Sequence, residues 1–260
     1  MSSGPGSLEG KVIVVAGGGN GSGRACALAY AAAGAAVAIG DLDMTAAEEV
    51  RALIAGQGGT ATLHAYNNDD PATARALVES AIAEHGRING LHAIAGNPTL
   101  HERDLDLLSS DPAIWEDAFR NHFIAPAEAA RAAIPAMIAN GGGSIILTSS
   151  GQAIAADTTR LGYQVSKRAV ELLSQHIART YGKQGIRANT LRYGLILTEN
   201  AQRRLDQAFI DDARERNWLG RLGEPQDVVG AALFLMSDAA AFISGQIIEV
   251  AGGKMAGVQG

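Results

Sequence analysis

The sequence predicts an α/β protein with a doubly wound parallel sheet of seven strands and helices on both faces. Short apolar runs rich in β-branched residues alternate with longer segments of helical periodicity, which is the pattern of repeated βαβ units. The short runs are apolar throughout, as in strands that are buried on both faces. Right-handed crossovers then place helices on both sides of the sheet. No linker, internal repeat or low-complexity block interrupts this alternation, so residues 1–260 are predicted to form one domain.

The individual elements follow from the same periodicities. The predicted strands are Val12–Ala16, Ala36–Gly40, Ala61–Ala65, Gly90–Ala95, Ser144–Thr148, Ile186–Arg192 and Gln246–Val250. The predicted helices are Gly21–Ala33, Thr45–Ala55, Asp70–Glu84, Pro112–Asn140, Tyr163–Tyr181 and Glu224–Ser237. In such sheets ligands bind beyond the carboxyl ends of the strands, where the strand order reverses. The residues directly after each strand are therefore the first candidates for function.

The composition excludes several classes of function. The formal net charge is −6, and without a cluster of Lys and Arg the chain offers no surface for nucleic acid. No apolar run reaches the roughly 18–20 residues that span a bilayer. Cys26 is the only cysteine, which rules out an internal disulfide and a cysteine-based metal site. Residues Met1–Ser7 lack a secretory pattern. We therefore expect a cytoplasmic protein with neither a metal nor a membrane partner.

A glycine-rich loop, GGGNGSG, joins the first predicted strand to the first helix. Glycines permit a tight turn and close backbone approach to a pyrophosphate, and the helix N-terminus offers free N–H groups and positive potential. A loop without a ligand is the alternative, but a position at the start of a βαβ unit favours the dinucleotide site of a Rossmann fold. The expected contacts are Gly17, Asn20, Gly21, Ser22 and Gly23.

An acidic residue follows the second predicted strand. Asp41 stands 18 residues after Gly23, where a carboxylate accepts hydrogen bonds from the adenosine ribose and repels a 2′-phosphate. The next residue, Leu42, is not basic. This combination predicts NAD rather than NADP as the cofactor, with a turn or a helix cap as the alternative role of Asp41.

The third predicted strand is followed by a run of four amide and acidic residues. An amide of Asn67 or Asn68 is placed to reach the adenine of the cofactor. Asp69 and Asp70 are equally suited to capping the helix that begins nearby.

Tyr163 and Lys167 lie four residues apart at the start of a long predicted helix, so their side chains share one face, one turn apart. A phenol with a pKa of about 10 is a weak acid–base at neutral pH, and a fixed ammonium beside it lowers that pKa. A Tyr-x-x-x-Lys match arises by chance on many helices. Here it follows the fifth strand and the pair Ser149-Ser150, which favours a catalytic role.

From Leu8 to Gly253 the chain resembles the short-chain dehydrogenase/reductase family in its single-domain form. The resemblance is carried by the glycine loop, Leu147–Ser150, Tyr163 with Lys167, Asn189, Thr198, Arg221–Pro225 and Ser244–Gln246. It implies hydride transfer between a small secondary alcohol and a ketone. The family's serine lies thirteen positions before its tyrosine, which selects Ser150 rather than Ser149.

The resemblance also implies the roles of these residues. Ser150 binds the substrate oxygen, Tyr163 exchanges the proton, and Lys167 lowers the pKa of the tyrosine and holds the nicotinamide ribose. The hydride chemistry belongs to the cofactor. Further cofactor contacts by resemblance are the small pair Ala95 and Gly96 after the fourth strand, and Gly194, Ile196 and Thr198 after the sixth.

The chain departs from the family at several positions. Ala93 and Ile94 replace two asparagines whose amides brace the sheet, from which we expect altered packing and intact cofactor binding. The family's fourth catalytic residue, an asparagine, falls on His122, whereas Asn121 requires a slip of one residue. The His122 carbonyl can hold a water of a proton relay, and its imidazole titrates near neutral pH. A purely structural side chain is the alternative.

The substrate side is less readable. Tyr193 replaces a family proline near the expected nicotinamide. Residues 199–219 are expected to cover the substrate and mix apolar residues with four arginines. An apolar inner face with a charged outer face is one interpretation, and an arginine that binds an acidic substrate is the other.

Other functions and the assembly complete the expectations. A catalytically impaired NAD-binding sensor or scaffold is the alternative, although the intact serine, tyrosine and lysine oppose it. An epimerase or dehydratase needs a longer chain with a separate substrate domain, and an enoyl reductase spaces its tyrosine and lysine more widely.

Family members mostly form tetramers through two long helices, here Pro112–Asn140 and Tyr163–Tyr181, so a homotetramer is expected.

Overall fold

The computed structural model describes residues 6–253; the remaining parts of the predicted domain, Met1–Pro5 and Lys254–Gly260, lie outside the described residues. The strands are β1 (Val12–Ala16), β2 (Ala36–Asp41), β3 (Thr60–Ala65), β4 (Gly90–Ala93), β5 (Gly143–Ser150), β6 (Ile186–Tyr193) and β7 (Ile247–Val250). The helices are α1 (Gly21–Ala32), α2 (Met44–Gly56), α3 (Pro71–His85), α4 (Pro112–Phe119), α5 (Ala125–Ala139), α6 (Leu161–Tyr181), α7 (Glu199–Arg204), α8 (Gln207–Arg216) and α9 (Pro225–Met236).

The seven strands form one sheet in the order β3-β2-β1-β4-β5-β6-β7, and every neighbouring pair is parallel. This confirms the predicted doubly wound Rossmann fold. The order reverses between β1 and β4, so the loops after these two strands diverge and leave the crevice in which such sheets bind ligands.

The inner strands β2, β1, β4, β5 and β6 are buried on both faces, as their mainly apolar sequences predict, whereas the edge strands β3 and β7 are only partly buried. Along β1, Val14 packs into the cluster beneath α3, α5 and α6, while Ile13 and Val15 pack into the cluster beneath α1, α2 and α9. Cys26 is fully buried in the second cluster, and burial raises the pKa of its thiol to about 12. The cysteine is therefore a small apolar residue of the core.

Two helical segments differ from the sequence prediction. The single helix expected over Pro112–Asn140 is helical without a break over residues 112–139, but it contains a π-helical turn at Arg120–Ile124 between α4 and α5. The apolar periodicity continues through this turn, so the sequence carries no signal of it, and such turns occur often at functional sites. Residues 199–219, for which no helix is predicted, contain α7 and α8. Over residues 6–253, every helix is too short or too polar to cross a membrane.

Candidate active site

The glycine loop Gly17–Gly23 lies at the edge of the sheet where the strand order reverses. Gly17 has a φ of 99°, which residues with a Cβ rarely adopt. A Cβ on Gly23 would lie 1.7 Å from the carbonyl oxygen of Gly17, so the turn excludes a side chain there. Asn20 directly precedes α1 and Ser22 lies in its first turn, where backbone N–H groups have no helical partner.

Two neighbouring loops pack against the glycine loop. A Cβ on Gly17 would lie 2.5 Å from the Cβ of Ala95, and a Cβ on Gly21 would lie 2.9 Å from the Cγ2 of Thr198. The loops after β1, β4 and β6 thus meet, as expected. A cradle of bare backbone at a helix N-terminus fits the pyrophosphate of a dinucleotide.

Asp41 ends β2 and binds the glycine loop. Its Oδ2 accepts the backbone N–H of Gly19 at 2.7 Å, and its Oδ1 accepts that of Asp43 at 3.0 Å. The cap of α2 is Asp43, which accepts the N–H of Ala46 at 3.0 Å. Asp43, and not Asp41, therefore caps α2. Asp41 stabilises the glycine loop and the turn that follows β2. The side chain of Leu42 is 72% exposed.

Gly194 and Ile196 lie in the segment after β6. The N–H of Gly194 donates to the Val250 carbonyl at 3.0 Å, and Ile196 forms an isolated parallel bridge with Gly223. This pairing fixes the backbone that leads from β6 to Thr198.

The four polar residues after β3 have different hydrogen-bond partners. Asp70 caps α3 by accepting the N–H of Ala72 at 3.1 Å, so the capping interpretation holds for this aspartate. Asp69 does not cap the helix and instead accepts two side-chain amides, described below. The Asn67 Oδ1 accepts the Asp69 N–H at 3.0 Å, and the Asn68 amide donates to the Ala95 carbonyl at 3.0 Å.

Tyr163 and Lys167 lie in the first two turns of α6 beside the end of β5. The Lys167 Nζ lies 5.8 Å from the centroid of the Tyr163 ring and donates to the Thr148 carbonyl at 2.9 Å. The hydroxyl of Ser150 lies close enough to the Tyr163 phenol to lower its pKa. The structure therefore brings together the predicted serine, tyrosine and lysine.

Ser149 points to the other side of the strand. Its Oγ donates to the Lys167 carbonyl and to Oε1 of Glu171, at 3.1 and 2.9 Å. Glu171 is only 1% exposed and also binds the guanidinium of Arg192, at 2.7 Å. The alternation of β5 thus gives Ser149 a buried structural position and leaves Ser150 beside the phenol.

The pKa of Tyr163 does not follow the prediction. Burial raises it above its ordinary value, and the hydroxyl of Ser150 and the charge of Arg160 lower it only in part. The ammonium of Lys167 is directed to a backbone carbonyl, and burial lowers its own pKa to about 8. The expected lowering of the tyrosine pKa by Lys167 is therefore wrong in this structure, because desolvation outweighs the nearby charges.

Two histidine rings contact the Tyr163 ring edge to face. The centroid of His122 is 5.1 Å away at an interplanar angle of 86°, and that of His101 is 4.3 Å away at 66°. Burial is the main cause that lowers the pKa of both imidazoles, to about 4 for His101, and the nearby Lys167 contributes. Both rings are therefore neutral at neutral pH.

The side chains of His122 and Asn121 leave the π-helical turn in opposite directions. His122 faces Tyr163, and a Cβ on Gly96 would lie 3.2 Å from the His122 Cε1. Asn121 turns the other way, and its side chain binds Asp69 and the backbone of Asn97. His122, to which the family's spacing assigns the fourth catalytic position, is thus the residue that contacts Tyr163.

The N-terminus of α6 is held by a residue from a distant loop. Asp104 is 1% exposed, and its two carboxylate oxygens accept the N–H groups of Gly162 and Tyr163 at 3.2 and 2.8 Å. Its own carbonyl accepts the N–H of Arg160 at 2.7 Å. Arg160 has a φ of 66°, and within residues 6–253 no other non-glycine residue has a positive φ. The start of this helix is thus fixed at some conformational cost.

The expected covering segment contacts the wall of the site. Arg204 of α7 donates to the Pro98 carbonyl at 3.1 Å and forms an ion pair with Glu102. These two residues bound the 3₁₀ helix that carries His101. Arg214 and Arg216 pair with aspartates of their own helix, which agrees with a charged outer face. Trp218 and Phe209, at 79% and 43% exposure, do not form the apolar inner face that was the other half of that interpretation.

His101 and Asp104 were missed by the sequence analysis. Both lie between β4 and α4, in a stretch without periodicity or a family motif, and both act through contacts more than 55 residues away in sequence. The only available signal was their position after a strand that ends at the crevice. Within the described part of the chain, no group of three or more His, Cys, Asp or Glu residues is arranged to hold a metal ion.

Comparisons with known proteins agree with this geometry. A family model described as enoyl-(acyl carrier protein) reductase matches residues 16–254. A probable short-chain type dehydrogenase/reductase of Bradyrhizobium diazoefficiens is 39% identical over 253 residues, which cover 97% of this chain and 90% of that protein. A solved 7α-hydroxysteroid dehydrogenase, complexed with NADH and 7-oxo glycochenodeoxycholic acid, superimposes with a TM-score of 0.92 at 29% identity over 100% of both chains. A gluconate 5-dehydrogenase of Burkholderia cenocepacia J2315, in complex with NADP and tartrate, gives a TM-score of 0.87 at 31% identity over 96% of both.

Proposed function

This chain is an oxidoreductase of the short-chain dehydrogenase/reductase family, and from that premise we propose that it uses NAD to interconvert a secondary alcohol and a ketone. The observation that carries the proposal is the half-buried Tyr163, whose phenol has the Ser150 hydroxyl beside it and Lys167 one helical turn away. The glycine loop that fits a dinucleotide lies at the same edge of the sheet.

The proposed cofactor contacts are those that the glycine loop and the family resemblance imply. The backbone of Gly17–Gly23 would hold the pyrophosphate, Asp41 the adenosine ribose, and Lys167 the nicotinamide ribose. The Asp41 carboxylate would repel a 2′-phosphate, which supports NAD over NADP. When bound, the nicotinamide supplies or accepts the hydride.

The protein residues bind the substrate oxygen and exchange its proton. In the direction of reduction, the Ser150 Oγ and the Tyr163 Oη donate hydrogen bonds to the ketone oxygen. The proton on the Tyr163 Oη then passes to that oxygen as it gains charge. Burial keeps this phenol protonated at neutral pH, which suits reduction. Oxidation of an alcohol needs the phenolate and is expected to accelerate as the pH rises.

The domain, the assembly and the location belong to the same proposal. We infer one NAD-binding domain over residues 1–260 with a core at 8–253, in which residues 199–219 cover the substrate. We propose a cytoplasmic location, and a homotetramer as the assembly. The assembly is supported by the apolar surface of α6, where Val165 and Leu172 are 45% and 67% exposed. Light scattering at micromolar concentration tests the assembly, and a monomer would contradict it.

The experiment that tests the function is a turnover assay with NAD or NADP, read by the absorbance of the reduced nicotinamide. The panel contains secondary alcohols of graded size and includes a 7α-hydroxy bile acid and gluconate, because two similar solved enzymes carry those names. We expect turnover with NAD and a loss of at least ~10²-fold in kcat for Tyr163→Phe, with cofactor affinity retained. Cofactor binding without turnover of any alcohol would favour the sensor instead.

A further inference from the structure

Four polar side chains connect the loop after β3, the loop after β4 and the π-helical turn. The Asp69 Oδ1 accepts the Asn121 amide at 2.8 Å, and its Oδ2 accepts the Asn97 amide at 3.0 Å. The Asn121 Oδ1 accepts the backbone N–H of Asn97 at 3.1 Å. The Asn68 amide donates to the carbonyls of Ala95 and Asn121, at 3.0 and 3.3 Å. We call these four side chains the amide network.

The network holds the π-helical turn from outside. Asn121 is 0% exposed, and both polar atoms of its side chain are bound. Hydrogen bonds to an ionised carboxylate are stronger than those between neutral groups, and Asp69 receives one amide on each oxygen. A π turn lacks the regular hydrogen bonds of the helices on either side. Its geometry here therefore depends on this external support.

His122 is the next residue and has no anchor of its own. It is 2% exposed, and neither ring nitrogen has a hydrogen-bond partner among residues 6–253. Its imidazole is located by the backbone of the π turn and by contacts with Gly96 and Tyr163. A small rotation of the turn would carry the ring away from the phenol.

We propose that Asp69 and Asn121 are positioning residues, which fix the π turn so that the His122 imidazole contacts the Tyr163 ring. The inference rests on the proposed function for its effect on turnover. With the network broken, the phenol loses its edge contact and its fixed orientation, and proton exchange slows. Because these residues lie outside the expected substrate contacts, kcat changes while the KM for the alcohol changes little.

The decisive variant is Asp69→Asn. Its NH₂ group replaces one of the two carboxylate oxygens, so either the Asn97 or the Asn121 amide loses its hydrogen-bond acceptor. The matched control is Asp70→Asn, because Asp70 takes no part in the network and asparagine is an equally good helix cap. We expect about a tenfold loss of kcat in Asp69→Asn, since small misplacements of reacting groups are costly. The control should retain its turnover.

A double-mutant cycle separates positioning from general destabilisation. If Asp69 acts through His122, then Asp69→Asn adds no further loss of kcat in a His122→Gln background. Thermal unfolding of each variant verifies that it is folded. An additive loss, or wild-type turnover in His122→Gln, would overturn the proposal.

A spectroscopic readout makes the test independent of activity. The Cε1–H resonance of His122, assigned by its disappearance in His122→Gln, experiences the ring current of Tyr163. We expect Asp69→Asn to shift this resonance and Asp70→Asn to leave it in place. An unchanged resonance in Asp69→Asn would disprove the positioning role even if no substrate were turned over, whereas absence of turnover in the wild type would contradict only the proposed function.

Discussion

The carboxylate of Asp104 accepts the backbone N–H of Tyr163 at 2.8 Å, so the residue that bears the phenol is held at its main chain by a loop that precedes it by 59 positions. The residue at the N-cap position of α6, Arg160, provides no side-chain cap. Asp104 supplies the missing acceptor from another part of the chain, and its negative charge suits the positive end of the helix.

We therefore expect Asp104→Ala to lower the free energy of unfolding by about 1–2 kcal/mol, the cost of a lost helix cap. Chemical denaturation measures this change. The kcat should fall as well, because the first turn of α6 loosens around Tyr163. Asp106→Ala is the matched control, since the hydrogen bonds of the Asp106 side chain to described residues go to Leu108 and Ser109 of its own exposed loop. Equal losses in the two variants would contradict the capping role.

Substitutions of the two adjacent serines are expected to have opposite effects on kcat and on stability. Ser150→Ala removes the hydroxyl beside the Tyr163 phenol and should reduce kcat on the order of 10²-fold with little change in stability. Ser149→Ala removes a buried donor to Glu171 and should cost about 1 kcal/mol of stability while most of the turnover remains. Steady-state kinetics and denaturation of the pair provide the comparison. Reversed phenotypes would show that the wrong serine has been assigned.

The buried imidazole of His92 makes the fold sensitive to acid. Burial lowers its pKa from the ordinary 6.5 to about 3. Between these values the unfolded chain binds a proton that the folded chain does not, so stability is complete above pH 6.5 and declines as the pH falls toward 3. One such group contributes a slope of up to about 1.4 kcal/mol per pH unit.

Replacement of this residue should reduce that slope. His92→Gln keeps a polar partner for the Tyr30 hydroxyl, which lies 2.9 Å from the His92 Nδ1, and removes the titration. Tyr30→Phe is the control, because it removes the hydrogen bond but leaves the imidazole to titrate. Denaturation at several pH values between 3 and 7 measures both slopes. A slope in His92→Gln as steep as in the wild type would disprove the assignment.

The position of Asp41 predicts a preference for NAD of at least about tenfold in affinity, or roughly 1.4 kcal/mol. Asp41→Ala combined with Leu42→Arg should shift the preference toward NADP, because a repulsive charge is replaced by an attractive one. Asp41→Ala alone should weaken the binding of NAD, since the Gly19 N–H loses its acceptor and the ribose loses its carboxylate partner. Fluorescence titration provides the affinities, with Asp43→Ala as a control for the loss of a nearby carboxylate. Equal affinities for the two cofactors in the wild type would refute the prediction.

Regular periodicity made the sheet predictable, because the strands that are buried on both faces are mainly apolar. The π turn inside the predicted helix could not be predicted, because the apolar pattern continues through it. Spacing along α6 predicted that Tyr163 and Lys167 share a face, as they do. It could not predict the direction of the Lys167 Nζ, which depends on the Thr148 carbonyl of another strand.

Contacts between distant loops could not be predicted from the sequence either. His101 and Asp104 lie in an irregular segment, where no periodicity relates a residue to its neighbours in space. The replacement of the family's asparagines by Ala93 and Ile94 was visible in the sequence, but the amide network was not. That network depends on Asn97 and Asn121, which only the folded chain brings together.

The helices of the covering segment are anchored far more weakly than the sheet. Helix α7 contains no buried residue, and in α8 only Ile210 is buried. Segments with so few apolar contacts open locally at a free energy well below that of global unfolding. Substitutions that reshape this segment therefore leave the stability of the strands and of α6 nearly intact. With residues 199–219 as the substrate cover that we propose, substrate preference can thus diverge among descendants of this chain, or be altered by directed evolution, without rebuilding the part of the fold proposed to exchange the proton.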